Sequence, residues 1–399
     1  MSSHARNTFY ILLGGAFVLA LSLGIRHGFG LFLLPMSNEF GWGRHVFAFA
    51  MALQNLLWGI VQPVTGAIAD RYGTYRVVMT GGLLYALSLL FMGLSSTPLM
   101  LNLSAGLLVG LALSATSFTV ILGAVGRAVA PEKRSFAMGI ASAAGSFGQF
   151  AMLPGTLMLI KNLQWSHALF VLAGFALLIA PLALMMRQQA QVVAGTTTAA
   201  VHSMSEVLSI ASRHKDFWLL STGFFVCGFQ VVFIGIHLPA YLMDLKFSAM
   251  VGTVTLALVG LFNVFGTYIA GWLGGRYSKP RLLMALYFLR AVVIALFISF
   301  PVTLFSVYAF GIAMGLLWLS TVPLTNGIVA SMFGVRYLSM LGGIVFLFHQ
   351  LGSFLGGWLG GYVYDVTGNY NLLWYISIVL SMLTVLIHVF IHEDKVIDE

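Results

Sequence analysis

Long apolar runs, separated by short polar or charged turns, occupy most of the chain. A helix of about 20 predominantly apolar residues crosses the hydrocarbon core of a bilayer. Runs of at least that length recur along the sequence, and we number them span one to span twelve in chain order. They lie at residues 9–35, 45–69, 75–95, 98–126, 135–160, 165–186, 217–243, 249–274, 281–300, 302–330, 336–364 and 371–391. The pattern predicts an all-α integral membrane protein with twelve transmembrane helices.

A polar stretch at residues 187–216, rich in Gln, Ala, Thr and Ser, follows span six. This composition is typical of a surface linker. Ser203, followed by Glu206 three residues later, predicts the start of a short amphipathic helix within it. The linker is predicted to separate an N-terminal six-helix bundle, residues 1–186, from a C-terminal six-helix bundle, residues 217–399.

The two predicted bundles share sequence features at a nearly constant offset. Residues 66–76, between spans two and three, resemble residues 271–281, between spans eight and nine, at an offset of 205 residues. Two further matches, at offsets of 204 and 202 residues, are Pro35 with Pro239 and Arg134 with Arg336. The offsets predict a duplicated six-helix unit, and parallel repeats of this kind place a binding site near the midplane between them.

Composition and charge agree with a membrane protein. Charged residues are 8% of the chain, whereas soluble domains carry about 25%. Fourteen of the nineteen Lys and Arg fall on the side that carries both termini and the linker, three on the other side and two within spans. The positive-inside rule assigns the basic side to the cytoplasm. The net charge of +8 therefore follows from topology and does not indicate a nucleic-acid partner.

The sequence offers no constellation for catalysis or metal binding. It contains no nucleophile elbow, no H-E-x-x-H zinc motif and no phosphate-binding loop of the ATPase type. The single cysteine, Cys227, excludes an intramolecular disulfide and a cysteine-based metal site. We therefore predict no enzyme activity, no cofactor and no metal, and any energy for transport would come from an ion or substrate gradient.

Basic residues inside the apolar runs have no acidic counterpart there. All eleven carboxylates lie in turns, helix ends or tails, whereas Arg26, His27, His237, Arg290 and His349 lie within predicted spans. A charge at bilayer depth is costly and usually faces the bundle interior or a water-filled cavity. The pattern predicts a cavity that receives an anion.

The loop between spans two and three carries a recognisable motif. Its residues Gly66, Asp70, Arg71, Gly73 and Arg76 resemble the signature loop of the major facilitator superfamily. The resemblance implies that fold for the whole chain and a gating role in which Asp70 latches one conformation, with Arg127 at the end of span four as a neighbour. The alternative is a turn that only caps two helices. The second copy has Gly275 where an Asp is expected, which implies a weaker latch.

Within that superfamily the chain resembles bacterial members of the monocarboxylate transporter group and the oxalate/formate exchangers. The supporting stretches are residues 24–35, 237–241 and 333–352. One departure is clear: the position in span eight where those families usually carry a carboxylate-binding arginine is Thr267, and the acidic position one turn earlier is Asn263. The usual pair is therefore absent from this chain.

The candidate substrate site has five residues: Arg26, Gln230, Arg290, Trp318 and His349. Arg26 in span one presents a permanently charged planar fork suited to a carboxylate, and Gln230 is its repeat partner in span seven. The alternative for Arg26 is a side chain that snorkels to the surface. Trp318 in span ten would wall a small ligand or simply pack. Arg290 in span nine is either a ligand or a structural arginine bonded to Asn263 or Thr267 in span eight.

A histidine is the natural candidate for proton coupling here, because imidazole titrates near physiological pH and no acid lies inside the spans. His349 in span eleven takes this role in our interpretation, in a place where the oxalate exchanger resemblance implies a lysine. The alternative is a neutral histidine that hydrogen-bonds across helices. His27 should point about 100° away from Arg26 on a regular helix. Polar residues such as Gln54 and Asn55 would line the cavity or join helices.

These observations predict a secondary active transporter. The expected substrate is a small organic anion, a monocarboxylate taken up with protons by alternating access. The protein is expected to be a monomer in the lipid bilayer of the cytoplasmic (inner) membrane, multi-pass, with both termini cytoplasmic. Two alternatives remain open: a major facilitator efflux pump for drugs or a siderophore-like metabolite, and a non-transporting membrane receptor.

Overall fold

A computed structural model of the chain describes residues 3–129, 134–187, 204–334 and 338–396, with side chains described throughout except at residues 3–7, 70, 134–136, 204, 338 and 339. All regular elements in these ranges are helical, which confirms the all-α prediction. Ser203, Arg336 and most of the predicted linker lie outside the described residues, so the predicted capping box and domain boundaries stay predictions.

The first six spans contain several short helical segments. Span one comprises Ser3–His27, a 3₁₀ turn at Phe29–Phe32 and Leu33–Phe40. Spans two and three are the single helices Arg44–Tyr72 and Thr74–Gly93. Span four comprises Pro98–Leu101, a π-helical stretch at Asn102–Leu108, Val109–Thr116 and Phe118–Ala128. Spans five and six together comprise the helix Arg134–Leu177, which is interrupted at Gln164, and the short helix Ile179–Leu184.

The second six spans follow a short linker helix, Met204–Arg213. Their bounds are Lys215–Asp244, Ala249–Gly274 and Lys279–Ser299 for spans seven to nine, Leu304–Leu317 with Thr321–Phe333 for span ten, and Leu338–Thr367 and Asn371–Val389 for spans eleven and twelve. Span ten is thus interrupted near the same place in its half as span four, which breaks at Ser117.

The boundary between spans five and six is a break rather than a loop. The apolar segment Ala137–Leu184 has 48 residues, which at 1.5 Å per residue would reach about 72 Å, more than twice the thickness of a bilayer core. Gln164 interrupts it with φ 67° and ψ 164°. The described residues therefore hold eleven long apolar segments, and the break in this one yields the twelve predicted spans.

Each half is held together by close helix contacts at repeat-related glycines. Gly24 of span one meets Gly148 of span five, and a side chain at either would collide with the other helix. Gly228 of span seven and Gly352 of span eleven, each 204 residues further on, make the equivalent contact. Small residues allow such approach of membrane helices. The repeat thus extends from the sequence to the packing of each half.

The halves meet along two pairs of spans. Span two packs against span eleven, for example where the rings of Phe49 and Phe354 lie 6.2 Å apart. Span five packs against span eight, where Gln149 Nε2 donates to the Leu256 carbonyl at 3.0 Å. We call the side with both termini and the linker the linker face, and the opposite side, with residues 41–43, 245–248 and 368–370, the far face.

The far face is closed by polar contacts between the halves. Arg44 donates to both carboxylate oxygens of Asp244, at 2.9 and 2.7 Å, and to the Tyr370 hydroxyl at 2.8 Å. The backbone amides of Arg44 and His45 donate to Asp365 at 3.0 and 2.8 Å, and the His45 ring lies 2.7 Å from the same carboxylate. Burial raises the pKa of the Tyr370 hydroxyl, so it accepts this bond as a neutral group.

Near the linker face the same four helices carry glycines without close neighbours. Gly66, Gly139, Gly271 and Gly343, on spans two, five, eight and eleven, have nothing within 4 Å of the position that a Cβ would occupy. They form two repeat-related pairs, with offsets of 205 and 204 residues. Polar contacts thus close the far face, whereas these four positions near the linker face are not closely packed.

The polar contacts of Arg44, His45, Asp244, Asp365 and Tyr370, which we call the far-face cluster, generate a prediction about conformation. Arg44→Gln should favour the state that is open at the far face, because hydrogen bonds to charged groups contribute about 1.5–3 kcal/mol each. Leu31 lies in the 3₁₀ turn and is only 7% exposed, so a cysteine at this position becomes accessible when the far face opens. The measurement uses Leu31→Cys in a protein that also carries Cys227→Ser, so that no other thiol reacts. We expect a membrane-impermeant maleimide to label it about tenfold faster with Arg44→Gln, since about 1.4 kcal/mol is tenfold.

Lys246→Gln is the matched control, because it removes an exposed far-face charge that forms no ion pair within the described residues. Its labelling rate should equal that of the parent protein. An unchanged rate in Arg44→Gln would show that the closure depends on the helix contacts and not on this cluster.

Candidate functional site

The midpoint of span one departs from a regular helix. The α-helix ends at His27 and continues as the 3₁₀ turn Phe29–Phe32. Within that turn, Gly30 lies against the Gly235 carbonyl and Ile236 backbone of span seven, where any side chain would collide. Discontinuous helices of this kind mark binding sites in transporter folds. The break places Arg26 in the last helical turn, beside the contact between the halves.

The Arg26 guanidinium is only partly satisfied. Its Nη2 donates to Asn55 Oδ1, and the guanidinium carbon lies 5.2 Å from the centre of the Trp58 ring. Asn55 is itself oriented by donating to the Met51 carbonyl at 2.7 Å. Arg26 Nε is buried without a partner, and no described carboxylate forms an ion pair with Arg26. A guanidinium has five donor hydrogens, so donors remain for an anion.

Arg26 faces a small cavity between the halves. Its volume is about 30 Å³, which admits water but no organic ligand in this conformation. Spans one and two contribute Arg26, His27, Phe29, Gly30, Met51, Gln54 and Asn55, and span seven contributes Val231, Val232, Gly235 and Ile236. A larger ligand would bind here only after the two halves have separated further.

His27 also lines this cavity, which differs from the expectation that it would point away from Arg26. The expectation assumed a regular helix, whereas the α-helix ends at this residue. The His27 ring is nevertheless engaged locally, because Nδ1 lies 2.6 Å from the Leu23 carbonyl and donates to it. The remaining ring nitrogen is the one that could reach the cavity.

Gln230 and Arg290, two other predicted substrate residues, contact each other inside the C-terminal half. Gln230 Nε2 donates to the Ser377 carbonyl at 2.9 Å and to Ser381 Oγ at 2.6 Å, so its side chain points toward span twelve. Arg290 is fully buried, and its Nη1 donates to Gln230 Oε1 at 3.4 Å. The repeat partner of Arg26 is therefore turned away from the cavity.

Arg290 also hydrogen-bonds to backbone carbonyl groups at the interruption in span ten. Its Nε and Nη2 donate to the Leu317 carbonyl at 3.1 and 2.6 Å, and Nη2 donates to the Trp318 carbonyl. These are carbonyls that the break in the helix leaves without an intrahelical donor. We expected a structural Arg290 to bond Asn263 or Thr267 in span eight; its contacts are with span ten instead.

Trp318 and His349 lie outside the lining of the cavity that Arg26 faces. Trp318 is buried, with its ring nitrogen unpartnered. The His349 ring stacks on Phe346 with centroids 5.6 Å apart, and its Nδ1 lies 3.3 Å from Gln350 Oε1 and 3.4 Å from Ser353 Oγ. The structure thus places four of the five predicted substrate residues in the C-terminal half, outside this lining.

The signature loop lies at the linker face, away from this cavity. Gly73 joins spans two and three with φ 96°, a conformation that glycine adopts without strain. Arg76 donates to the Tyr75 hydroxyl at 2.9 Å, and Arg127 donates to Thr74 Oγ1 at 3.0 Å. The Asp70 side chain lies outside the described residues, so the latch between Asp70 and Arg127 stays a prediction. Gly66 and Arg71 flank it on span two.

The span-seven wall of the cavity was not predicted from sequence. Val231, Val232 and Ile236 are apolar residues in an apolar run, so nothing in their chemistry distinguishes them. The repeat could have identified them, because residues 230–236 are the counterparts of residues 26–32 at an offset of 204.

Arg290→Gln should destabilise the protein. Three acceptors would lose their donors inside the bundle, at about 1–3 kcal/mol for each unsatisfied group. At about 2 °C per kcal/mol for a chain of this size, we expect the midpoint of thermal unfolding in detergent to fall by about 6–18 °C. Arg276→Gln, at an exposed arginine that stacks on Trp272, should change it by less than about 2 °C. A stable Arg290→Gln protein without transport would make Arg290 a ligand.

Comparison with known proteins identifies the family. The profile of the Major Facilitator Superfamily matches residues 12–323. Monocarboxylate transporter 13 of Rattus norvegicus is 27% identical over 372 residues, covering 90% of this chain and 83% of that protein. Monocarboxylate transporter 11 of Homo sapiens is 25% identical over 378 residues, covering 91% and 78%. The uncharacterized MFS-type transporter YcxA of Bacillus subtilis (strain 168) is 24% identical over 402 residues, covering 99% and 98%. The chain therefore belongs to the major facilitator superfamily.

Proposed function

We propose that this major facilitator protein moves a small organic anion, a monocarboxylate, together with protons by alternating access. The observation that carries the proposal is Arg26, a cation in the cavity between the halves with a buried Nε that has no partner. A carboxylate would supply the missing acceptor and neutralise the charge, and a planar guanidinium binds it with two parallel hydrogen bonds. The relatives named monocarboxylate transporters support the same substrate class.

The geometry supports alternating access in which the halves rock about the cavity. Contacts between the halves close the far face, whereas four glycines near the linker face have no close neighbour at the Cβ position. The excess of Lys and Arg at the linker face supports a cytoplasmic location for that face and for both termini. We propose that this arrangement is an outward-closed state of a monomeric, multi-pass protein of the cytoplasmic membrane.

Arg26 would replace the span-eight arginine that the related families use. Asn263 occupies the acidic position of span eight, and here it donates to Ser146 Oγ at 3.0 Å and accepts from the Leu319 amide at 3.0 Å. Thr267 donates to the same Asn263 at 3.2 Å. Span eight thus uses these positions for contacts between helices, which leaves anion binding to the N-terminal half.

A proton on His349 would affect the surroundings of Arg26 through the contact between spans two and eleven. His349 neighbours Gln350, whose side chain lies against Gly59 of span two, so closely that a Cβ at Gly59 would collide with it. Gly59 is one helical turn beyond Asn55, the residue that accepts from Arg26. A proton on His349 would reorient Gln350 and so change how tightly spans two and eleven pack beside the bound anion.

Transport by purified protein in proteoliposomes tests the role of Arg26. Radiolabelled lactate should accumulate under an imposed inward proton gradient, and Arg26→Gln should reduce the initial rate at least about 30-fold, since the loss of a charged hydrogen-bonding partner costs about 2–5 kcal/mol. Lys246→Gln, at an exposed lysine outside the cavity and the signature loops, should transport like the parent protein. If neither lactate nor any competing monocarboxylate enters, the proposed function is wrong. Drug resistance conferred by overexpression would then indicate an efflux pump. Ligand binding without counterflow would instead indicate a receptor.

A second prediction separates proton coupling from anion binding. His349→Gln should abolish accumulation driven by the proton gradient, because it removes the side chain that carries the proton in the proposed mechanism. Exchange of external for internal lactate at equal pH should continue, since Arg26 is intact. His388→Gln, at a buried histidine of span twelve that donates to the Thr384 carbonyl, is the matched control and should keep both activities. Gradient-driven accumulation that survives His349→Gln would exclude this histidine as the proton carrier.

A further inference from the structure

The two walls of the cavity differ in chemistry. The wall from the N-terminal half carries every polar lining side chain: Arg26, His27, Gln54 and Asn55. The wall from the C-terminal half consists of Val231, Val232, Gly235 and Ile236, which present carbon and backbone only. A symmetric pair of bundles therefore encloses an asymmetric site, cationic on one side and aliphatic on the other.

The polar residues of span seven that flank this wall form hydrogen bonds outside the cavity. Gln230 precedes the wall and bonds to Ser377 and Ser381. His237 follows the wall, and its Nε2 lies 2.8 Å from the Gly357 carbonyl while its Nδ1 lies 3.4 Å from the Tyr370 hydroxyl. Span seven thus has polar groups on both sides of the wall, yet none of them reaches the cavity lining.

From this asymmetry, and resting on the proposed function, we infer that the site selects monocarboxylates with an aliphatic body larger than that of lactate and excludes dicarboxylates. The carboxylate would bind Arg26 beside Asn55, and the body would lie against Val232 and Ile236. A second carboxylate would lie against the aliphatic wall without a counter-charge or donor, and burial of an unpaired charge is strongly unfavourable.

The small volume of the cavity is compatible with this assignment. The present space of about 30 Å³ holds water only, so an anion enters as spans one and seven separate. That movement parts Gly30 from Ile236 and uncovers Arg26 and the aliphatic wall together. The head and the body of an amphipathic anion would then each meet a matching surface.

The size of the expected preference follows from buried area. Each methylene transferred from water to an apolar wall gains about fourfold in affinity. 4-Methyl-2-oxopentanoate has three more carbons than lactate, so it should inhibit labelled lactate uptake at a concentration at least about tenfold lower than unlabelled lactate. Malonate, a dianion of similar length to lactate, should require at least about tenfold more than unlabelled lactate.

Substitutions in span seven test whether the preference for 4-methyl-2-oxopentanoate over lactate depends on the aliphatic wall. Val232→Thr keeps the side-chain shape but replaces one methyl group by a hydroxyl. It should lower the advantage of 4-methyl-2-oxopentanoate over lactate, measured as the ratio of their inhibitory concentrations, at least about threefold. Val226→Thr makes the same change at a buried position of span seven outside the cavity and should preserve the advantage. Ile236→Val removes one methyl group, is expected to fold in any case, and should lower the advantage by up to about fourfold.

The outcomes distinguish this inference from the proposed function. Lactate uptake with malonate inhibiting as well as 4-methyl-2-oxopentanoate would overturn the selectivity and leave monocarboxylate transport in place. An unchanged preference in both Val232→Thr and Ile236→Val would overturn the assignment of the wall. If no monocarboxylate enters or competes, the proposed function fails and the selectivity fails with it.

Discussion

A cation inside an apolar helix bundle must find acceptors, water or a counter-ion, and this requirement shapes the centre of the molecule. Two arginines lie at that depth and meet the requirement differently. Arg290 finds an acceptor for each of its three nitrogens in the broken end of span ten and in Gln230. Arg26 finds only Asn55 and the Trp58 ring, with Nε left without a partner. The deficit at Arg26 leaves a donor group beside the cavity, which the proposed function assigns to the substrate anion.

The difference between the two arginines arises from backbone breaks that create or occupy acceptors. The interruption near Trp318 frees carbonyl groups of span ten directly beside Arg290. The interruption after His27 instead brings the 3₁₀ turn of span one against span seven at Gly30, and its carbonyls do not reach Arg26. Similar irregularities of membrane helices can therefore satisfy a buried charge or expose one, depending on which groups face it.

The fold followed from the sequence more fully than the site did. Hydrophobic run length predicted the spans, and the repeat offset predicted two related halves, because both depend on local composition. The offset did not predict side-chain direction: Gln230 occupies the position equivalent to Arg26 but turns toward Ser377 and Ser381, which a repeat argument does not consider. The sequence also could not distinguish Arg26 from Arg290, because their apolar surroundings look alike until the helix breaks are known.

The contacts within and between the halves have different chemistry, and this difference allows movement. Within a half, backbones touch at Gly24 and Gly148, a close-packed contact that any displacement would disrupt. Between halves, the far-face closure depends on Arg44 and its carboxylate partners, which water can replace as the groups separate. Under the proposed mechanism each half would therefore move as a rigid body, and opening would be opposed chiefly by the far-face contacts. An anion on Arg26 would change the charge between the two halves while those contacts still hold them together.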